Sequence, residues 1–198
     1  MGTLAIGNPE SSAEWSLPSR GRVGMFCLIA AESAIFTIFV VAYLFYVGKS
    51  ISGPLPKDVL HAPIFYTVCL LSSSLTVHLA VRRAKSGEMS AFVRWWLATI
   101  LLGGTFLFGT AREWAHLILD EGLTVSTNLF GTTYYSLVGL HGFHVTVGLL
   151  ALLTVSIFYF AGELRPEHAE RLEVLAMYWH FVDAVWVVVF TVVYVTGV

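Results

Sequence analysis

Two histidines stand three residues apart in an apolar stretch, GLHGFHV, which runs from Gly139 to Val145. Residues at this spacing lie on one face of a helix, so His141 and His144 present both imidazoles to the same side. Such a pair could ligate zinc or copper, bind haem, transfer protons or form hydrogen bonds between helices. A metal needs three or four ligands, and this segment has no cluster of cysteines or carboxylates to complete the set. Hydrogen bonding across a close helix contact is therefore favoured. Four glycines would permit such close approach: Gly131, Gly139, Gly142 and Gly148.

A single glutamate, Glu32, interrupts the apolar segment LIAAESAIFTIF. Ionisable residues at membrane depth are costly, so each one is a functional candidate. A carboxyl group in hydrocarbon is either protonated or paired with a donor. The functional interpretation is a proton or lipid site, and the structural one is a packing carboxyl whose hydrogen bonds are satisfied. The residues alone leave both open.

A third polar group occurs in YWHFVDAVW, where Asp183 lies one turn beyond His180. Two side chains at this spacing can pair with each other, so the prediction is a structural Asp–His pair, with a proton relay as the alternative. Glu173 falls on the same helical stripe as His180 and is grouped with these buried polar candidates. A run of serines most simply serves helix packing: Ser72, Ser73 and Ser74.

Other polar residues lie nearer the ends of their apolar segments. Arg112, Glu113 and His116, in TAREWAH, are predicted to form an interfacial ion pair, with a subunit or lipid contact as the functional option. His78 precedes Arg82 by one helical turn and can extend its ring to the membrane surface.

The composition determines the class of protein. Of the 198 residues, 57% are hydrophobic and 12% are charged, and the mean hydropathy is +0.76, which is typical of a polytopic membrane protein. The net charge of -2 gives no sign of nucleic-acid binding. Cys27 and Cys69 lie in separate apolar runs without a C-x-x-C pair, which argues against a disulfide framework or a cysteine metal site.

Five apolar segments must position these residues. Each is long enough to cross a bilayer, which takes about 20 helical residues, and each is continuous rather than alternating, which favours helices over a barrel. The predicted spans are 23–47, 63–81, 95–119, 130–160 and 172–198. The expected fold is an all-α, five-helix transmembrane bundle that forms one domain over residues 21–198. A polar tail without an evident cleavable signal precedes it over residues 1–20.

Lysine and arginine are unevenly distributed between the two membrane sides. The side that carries the N-terminus holds most of them: Arg20, Arg22, Arg82, Arg83, Lys85, Arg94, Arg165 and Arg171. This bias predicts a cytoplasmic N-terminus and an external C-terminus. At about 1.5 Å per residue, Glu32, His144 and the His180–Asp183 pair fall roughly 12–16 Å into their helices. Three helices therefore each bring an ionisable group near the bilayer midplane.

Three segments together, AAESAIF, GLHGFHVTVG and MYWHFVDAVW, resemble the signatures of subunit III of haem-copper terminal oxidases, in the family's order and at comparable separations. LLSSSLTVHLA and the segment around Glu113 are also similar to family counterparts, so the resemblance covers nearly all of the chain after about Arg20. It implies a helical subunit of a proton-pumping oxidase in a bacterial inner membrane. Such a subunit holds no haem or copper, packs beside subunit I, which carries the redox centres, and works with subunit II.

The resemblance also carries expectations for lipid and for individual residues. It implies bound phospholipid and a role in supporting proton uptake. Glu32 matches the family's buried, carbodiimide-reactive glutamate. The remaining buried polar candidates match other characteristic positions of the family: His141, His144, Glu173, His180 and Asp183.

The chain departs from the seven-helix pattern of longer members, because it has five spans and lacks counterparts of the first two. The lipid cleft of those members involves the missing pair, so lipid here is expected on an exposed face, or another subunit fills the gap. Cytochrome c is the expected electron donor; a quinol oxidase or a nitric-oxide-reductase-associated homologue is the alternative. A small ion or proton transporter that uses Glu32 and the midplane histidines is a different class of alternative. Its usual repeats and broken helices are missing from the sequence pattern.

Overall fold

The computed structural model describes residues 19–50 and 53–196, which form helices joined by short loops, with no β-strand among these residues. The helices are α1 (Arg20–Tyr46), a short α2 (Pro56–Val59), α3 (Ile64–Lys85), α4 (Met89–Leu119), α5 (Leu129–Phe160) and α6 (Ala169–Phe190). A 3₁₀ turn (Pro166–His168) precedes α6, and a π-helical turn (Thr191–Thr196) continues it.

The five predicted spans are confirmed, because α1, α3, α4, α5 and the segment containing α6 are each long and apolar enough to cross a membrane. Their bounds differ from the prediction at polar ends. Helix α3 continues past Val81 to Lys85, and α4 begins at Met89 rather than at Trp95. Long basic side chains extend to the interface and allow a helix to continue beyond the hydrocarbon. Of the predicted polar tail, residues 1–18 lie outside the described residues, and α1 already begins at Arg20.

Two helices on the basic side of the membrane end at glycines with positive φ, Gly87 (76°) and Gly162 (78°). At the end of α3, the Gly87 amide donates to the Ala84 carbonyl and the Glu88 amide donates to the Arg83 carbonyl, both at 3.0 Å. This pair of bonds satisfies carbonyls that the helix leaves without partners, and glycine adopts the left-handed conformation without steric cost. The resulting turn joins α3 and α4 as a tight antiparallel pair.

The centre of the bundle is filled by Trp179 of α6, which is fully buried. Its indole Nε1 donates a hydrogen bond to Ser73 Oγ of α3 at 2.8 Å. A Cβ atom added at Gly103 of α4 or at Gly148 of α5 would lie 2.8 Å from the ring. Glycine at both positions therefore allows one tryptophan to contact α3, α4 and α5 at once.

The predicted close helix contact at glycines of α5 is confirmed for two of the four positions. Added Cβ atoms at Gly139 and Gly148 would meet aromatic side chains of α4 and α6. An added Cβ at Gly131 would instead meet the Thr124 carbonyl oxygen in the loop before α5. The prediction is wrong for Gly142, where nothing lies within 4 Å of an added Cβ. Its side of α5 points away from the other described helices, whereas the side with Gly148 faces the core.

Candidate functional site

The Glu32–His144 contact joins α1 to α5. His144 Nε2 lies 3.1 Å from Glu32 Oε2, and His144 Nδ1 lies 2.7 Å from the carbonyl oxygen of Leu140. A carbonyl only accepts, so Nδ1 carries a hydrogen. The Nε2–Oε2 contact then holds one proton, either on a glutamic acid beside a neutral ring or on an imidazolium beside a carboxylate. Both forms leave the pair without net charge.

This pair lies at the edge of the bundle. The His144 side chain is 8% exposed, whereas that of Glu32 is 22% exposed. Within α1 the described contacts bury only Phe36 and Tyr43, and the Phe36 ring lies 5.0 Å from that of His144. Glu32 thus meets its partner on one side, while part of its carboxyl group faces away from the described helices.

His141 has a different environment from His144, although the two share one helix. It is 1% exposed, stacks on Trp186 with 4.9 Å between ring centroids, and lies edge-on to Phe106. Neither ring nitrogen has a hydrogen-bond partner among the described residues. The predicted hydrogen bonding between helices therefore holds for His144 and is wrong for His141, whose ring packs among aromatic side chains of α4 and α6.

The predicted pairing of His180 with Asp183 is also wrong. His180 Nδ1 instead lies 2.6 Å from Ser74 Oγ of α3. Asp183 is 3% exposed, and neither carboxyl oxygen has a hydrogen bond within the described part of the chain. Asp183 lies one helical turn beyond His180 on α6, and the hydrogen-bonded partner of that ring is Ser74 rather than the carboxyl. The contact across the helix interface orients His180 toward α3 and away from its own helix neighbour.

Glu173 was predicted among the buried polar residues, but it lies in an ion-pair cluster at the basic end of α6. Its Oε2 lies 2.9 Å from Arg22 of α1 and 2.9 Å from Lys85 of α3. Its side chain is 31% exposed. It is a helix-end residue because α6 begins at Ala169, one turn before it. The cluster joins three helices at the membrane surface rather than at mid-depth.

A groove of about 420 Å³ begins beside this cluster and runs between α3 and α6. Polar residues of both helices line it, namely His78, Lys85, Glu173 and His180. The predicted exposure of His78 at this membrane side agrees with its position on the groove. His180 both lines the groove and bonds Ser74, and the buried Asp183 lies one helical turn beyond it on α6.

At the opposite end of the bundle, Glu113 accepts hydrogen bonds from two tyrosines. Its Oε1 lies 2.8 Å from the Tyr194 hydroxyl and 3.3 Å from the Tyr134 hydroxyl. The predicted ion pair with Arg112 is wrong, because Arg112 is exposed and forms no salt bridge with any described residue. Adjacent residues of a helix do not face each other, so Glu113 points inward while Arg112 points out.

The third residue of that predicted group, His116, has its own local partner. Its Nε2 lies 3.8 Å from a carboxylate oxygen of Asp120, one turn further along, and both side chains are more than half exposed. This contact is solvent-accessible and does not extend to another helix.

Two serines carry more specific contacts than the predicted packing role. Ser73 receives the Trp179 hydrogen bond, and Ser74 contacts His180. The sequence feature that pointed to these contacts is the run of three consecutive serines within an apolar span. Their partners lie 106 positions away in the chain, so the sequence did not reveal which hydroxyl faces which ring.

These contacts describe a bundle whose polar side chains meet between neighbouring helices. Among the described residues, no three His, Cys, Asp or Glu side chains are grouped so that they could hold a metal ion. The signature residues instead form pairs between helices: Glu32 with His144, Ser74 with His180, and Glu113 with two tyrosines. Residues 18–198 match the family model of cytochrome c oxidase subunit III.

The chain belongs to the cytochrome c oxidase subunit III family.

Relatives of nearly the same length agree with this assignment. The cytochrome c oxidase subunit 3 of Alkalihalophilus pseudofirmus is 35% identical over 97% of this chain and 95% of its own length. The cytochrome bo(3) ubiquinol oxidase subunit 3 of Pseudomonas aeruginosa is 34% identical over 88% and 84%. The quinol oxidase subunit 3 of Bacillus subtilis is 30% identical over 96% and 95%. As a subunit III with five apolar helices, the chain is a multi-pass membrane component of an oxidase with further subunits.

Proposed function

We propose that this subunit III is a non-catalytic component that packs beside the redox-bearing subunit I, binds phospholipid and supports proton uptake. We further propose that it holds no haem or copper, that its N-terminus is cytoplasmic in a bacterial inner membrane, and that cytochrome c is the donor. The observation that carries the proposal is the position of Glu32. It is hydrogen-bonded to His144 at the edge of the bundle and is 22% exposed toward the outside of the chain.

A carboxyl group that faces hydrocarbon part-way along a helix is costly, so its exposed portion requires cover from protein. The outer face of α1 offers a large apolar surface around it. Its most exposed large side chains are Phe26, Ile38, Val41 and Phe45. A neighbouring subunit seated on α1 would cover both this surface and the open side of Glu32, which supports contact with subunit I.

Two features support lipid binding. Two exposed arginines at the basic membrane side, Arg20 of α1 and Arg82 of α3, form no salt bridge with a described residue, and such basic side chains attract anionic headgroups. A groove of about 320 Å³ between α1 and α6 is lined largely by apolar atoms of residues such as Phe36 and Val185. Its position and lining fit an acyl chain that lies along α1.

The proton role is supported by the Glu32–His144 geometry. One proton can reside on either Glu32 Oε2 or His144 Nε2, which lie 3.1 Å apart. That proton can therefore move between the two side chains over a short distance without movement of a helix. The cytoplasmic position of the N-terminus is supported by the arginine and lysine bias of that membrane side.

Copurification after mild detergent extraction tests the proposal. A tagged chain is expected to retain a histidine-rich partner that carries two haems, and the preparation is expected to oxidise reduced cytochrome c. Oxidation of quinol instead would assign the other donor. A chain that purifies alone, holds stoichiometric metal or transports ions in liposomes would contradict the proposed role.

The role of Glu32 has its own variant. Glu32→Ala is expected to leave the haem content intact while it reduces sustained proton uptake or lipid retention by the complex. Thr154→Ala is the control, since the Thr154 hydroxyl donates only to its own helix, at the Leu150 carbonyl, and Thr154 lines neither groove. Loss of haem in Glu32→Ala alone would argue for a structural role in assembly.

A further inference from the structure

The groove between α3 and α6 extends inward as far as His180, one helical turn from the buried carboxyl group of Asp183, which takes no part in the Glu32–His144 pair. The groove is open at the basic membrane side, where Lys85 and Glu173 line its mouth. His180 lines it further in, and the Nε2 atom of this ring is not among the buried polar atoms that lack a partner. His180 therefore lies between the groove and the interior of the helix bundle.

Ser74 connects this ring to the carboxyl. Its Oγ lies 2.6 Å from His180 Nδ1, and Asp183 lies one turn beyond His180 on the same helix, buried behind this contact. A serine hydroxyl has one donor hydrogen and two acceptor lone pairs, so it can accept from an imidazole N–H while it donates to a carboxylate. Imidazole, hydroxyl and carboxyl thus follow one another from the groove inward.

Asp183 is at the inner end of this series. It is 3% exposed, and neither of its oxygens has a hydrogen bond from a described residue. An ionised carboxylate without a partner in such a place would be an uncompensated buried charge, which is strongly destabilising. The charged groups near the route all lie at its outer part: His78, Arg82 and Lys85 from α3 and Glu173 from α6.

We propose that Asp183 is a proton-binding site that is loaded from the groove through His180 and Ser74. A proton from groove water binds His180 Nε2, the hydrogen on Nδ1 passes to Ser74 Oγ, and the original Ser74 hydrogen passes to a carboxylate oxygen of Asp183. The histidine and serine end neutral, and the carboxylate becomes a carboxylic acid. Release follows the same steps in reverse. This site is an addition to the proposed function. It rests on that function in one respect, because the experiment that tests it uses the assembled oxidase.

Infrared spectroscopy of the assembled oxidase tests this site through the carbonyl stretch of a protonated carboxyl group. The wild type is expected to show a band that shifts when H₂O is replaced by D₂O, and Asp183→Asn is expected to remove it. Ser74→Ala is expected to slow deuteration of this band by at least about tenfold, because one hydrogen-bonded step is lost. Ser74→Thr keeps the hydroxyl and is expected to retain the fast exchange. Ser72→Ala is the matched control, because Ser72 is exposed on the same helix.

Three results would overturn the site: a carboxyl spectrum that Asp183→Asn does not change, equal exchange rates in Ser74→Ala and wild type, or a Ser74→Thr variant as slow as Ser74→Ala. The two Ser74 variants leave Asp183 in place, so their comparison decides the route even if Asp183→Asn does not assemble. Haem content is measured in every preparation. A wild-type chain without a haem-bearing partner would count against the proposed function, whereas unchanged exchange in a haem-loaded complex counts only against this site.

Discussion

Replacement of Gly148 by alanine should disturb the packing of Trp179. The new Cβ would lie 2.8 Å from the indole ring, whereas ordinary van der Waals contact begins at 3.4 Å. The ring would have to move by about 0.6 Å in a close-packed interior. It has little room to do so, because α4 approaches another part of the ring so closely that a Cβ added at Gly103 would also lie 2.8 Å from it, and the Ser73 hydrogen bond holds the indole nitrogen.

The expected magnitude follows from two opposing contributions. Overpacking of a core costs about 1–3 kcal/mol, while the change from glycine to alanine within a helix contributes about 1 kcal/mol in favour of the variant. Gly142→Ala on the same helix has the second contribution without the first, since nothing lies within 4 Å of its added Cβ. The difference between the two variants therefore measures the steric cost alone, about 1–3 kcal/mol.

Unfolding of the purified subunit in detergent, followed by loss of helical ellipticity on heating, measures this difference. Gly148→Ala should unfold at a lower temperature than wild type, and Gly142→Ala at the same or a higher temperature. Gly103→Ala and Gly104→Ala provide a second matched pair on α4, where only the first would meet Trp179. Equal stabilities of Gly148→Ala and Gly142→Ala would refute the packing of Trp179 between these helices.

Three further predictions concern polar contacts, each measured by the same unfolding assay. Glu113→Ala should lower stability by about 1–3 kcal/mol because two tyrosine hydroxyls lose their acceptor. Arg112→Ala should stay within about 0.5 kcal/mol of wild type, and similar losses in both variants would support the predicted ion pair. A double-mutant cycle of Glu32→Gln and His144→Phe should give a coupling energy of about 0.6–1.7 kcal/mol, as for other hydrogen bonds between membrane helices. Strict additivity of the two substitutions would show that the 3.1 Å contact contributes nothing to stability. Glu173→Gln should lower the free energy of unfolding by no more than about 1 kcal/mol. This loss should vanish near 1 M salt, where the screening length is about 3 Å, and a larger loss that persists in salt would indicate a buried role.

Local pattern accounts for the features that the sequence predicted correctly. Apolar runs longer than a bilayer thickness specified five helices, because hydrocarbon leaves the backbone no other way to satisfy its hydrogen bonds. The combination of Glu32, the His141–His144 spacing and the YWHFVD segment was sufficient to predict the family, which the family match confirms. The prediction of the spans rests on neighbours within a few helical turns, whereas the family resemblance rests on three short segments and their order along the chain.

The incorrect predictions involve residues whose partners lie far along the chain. His141 and His144 share a helix face, yet one ring stacks on Trp186 and the other bonds Glu32. Asp183 stands one turn from His180, but that ring bonds Ser74 instead. Helical spacing gives the direction of a side chain and not the chemistry of the surface opposite.

The sequence by itself determined the membrane-spanning helices, the polar residues within them and the family to which they belong. The tertiary structure alone decided which of these polar residues meet, because a contact depends on how two helices rotate and approach each other. That rotation is fixed by packing around Trp179, where glycines on two helices leave room for one indole ring. The two histidines of GLHGFHV thus have the same local sequence and different roles, since only one of them faces a carboxyl group across the interface.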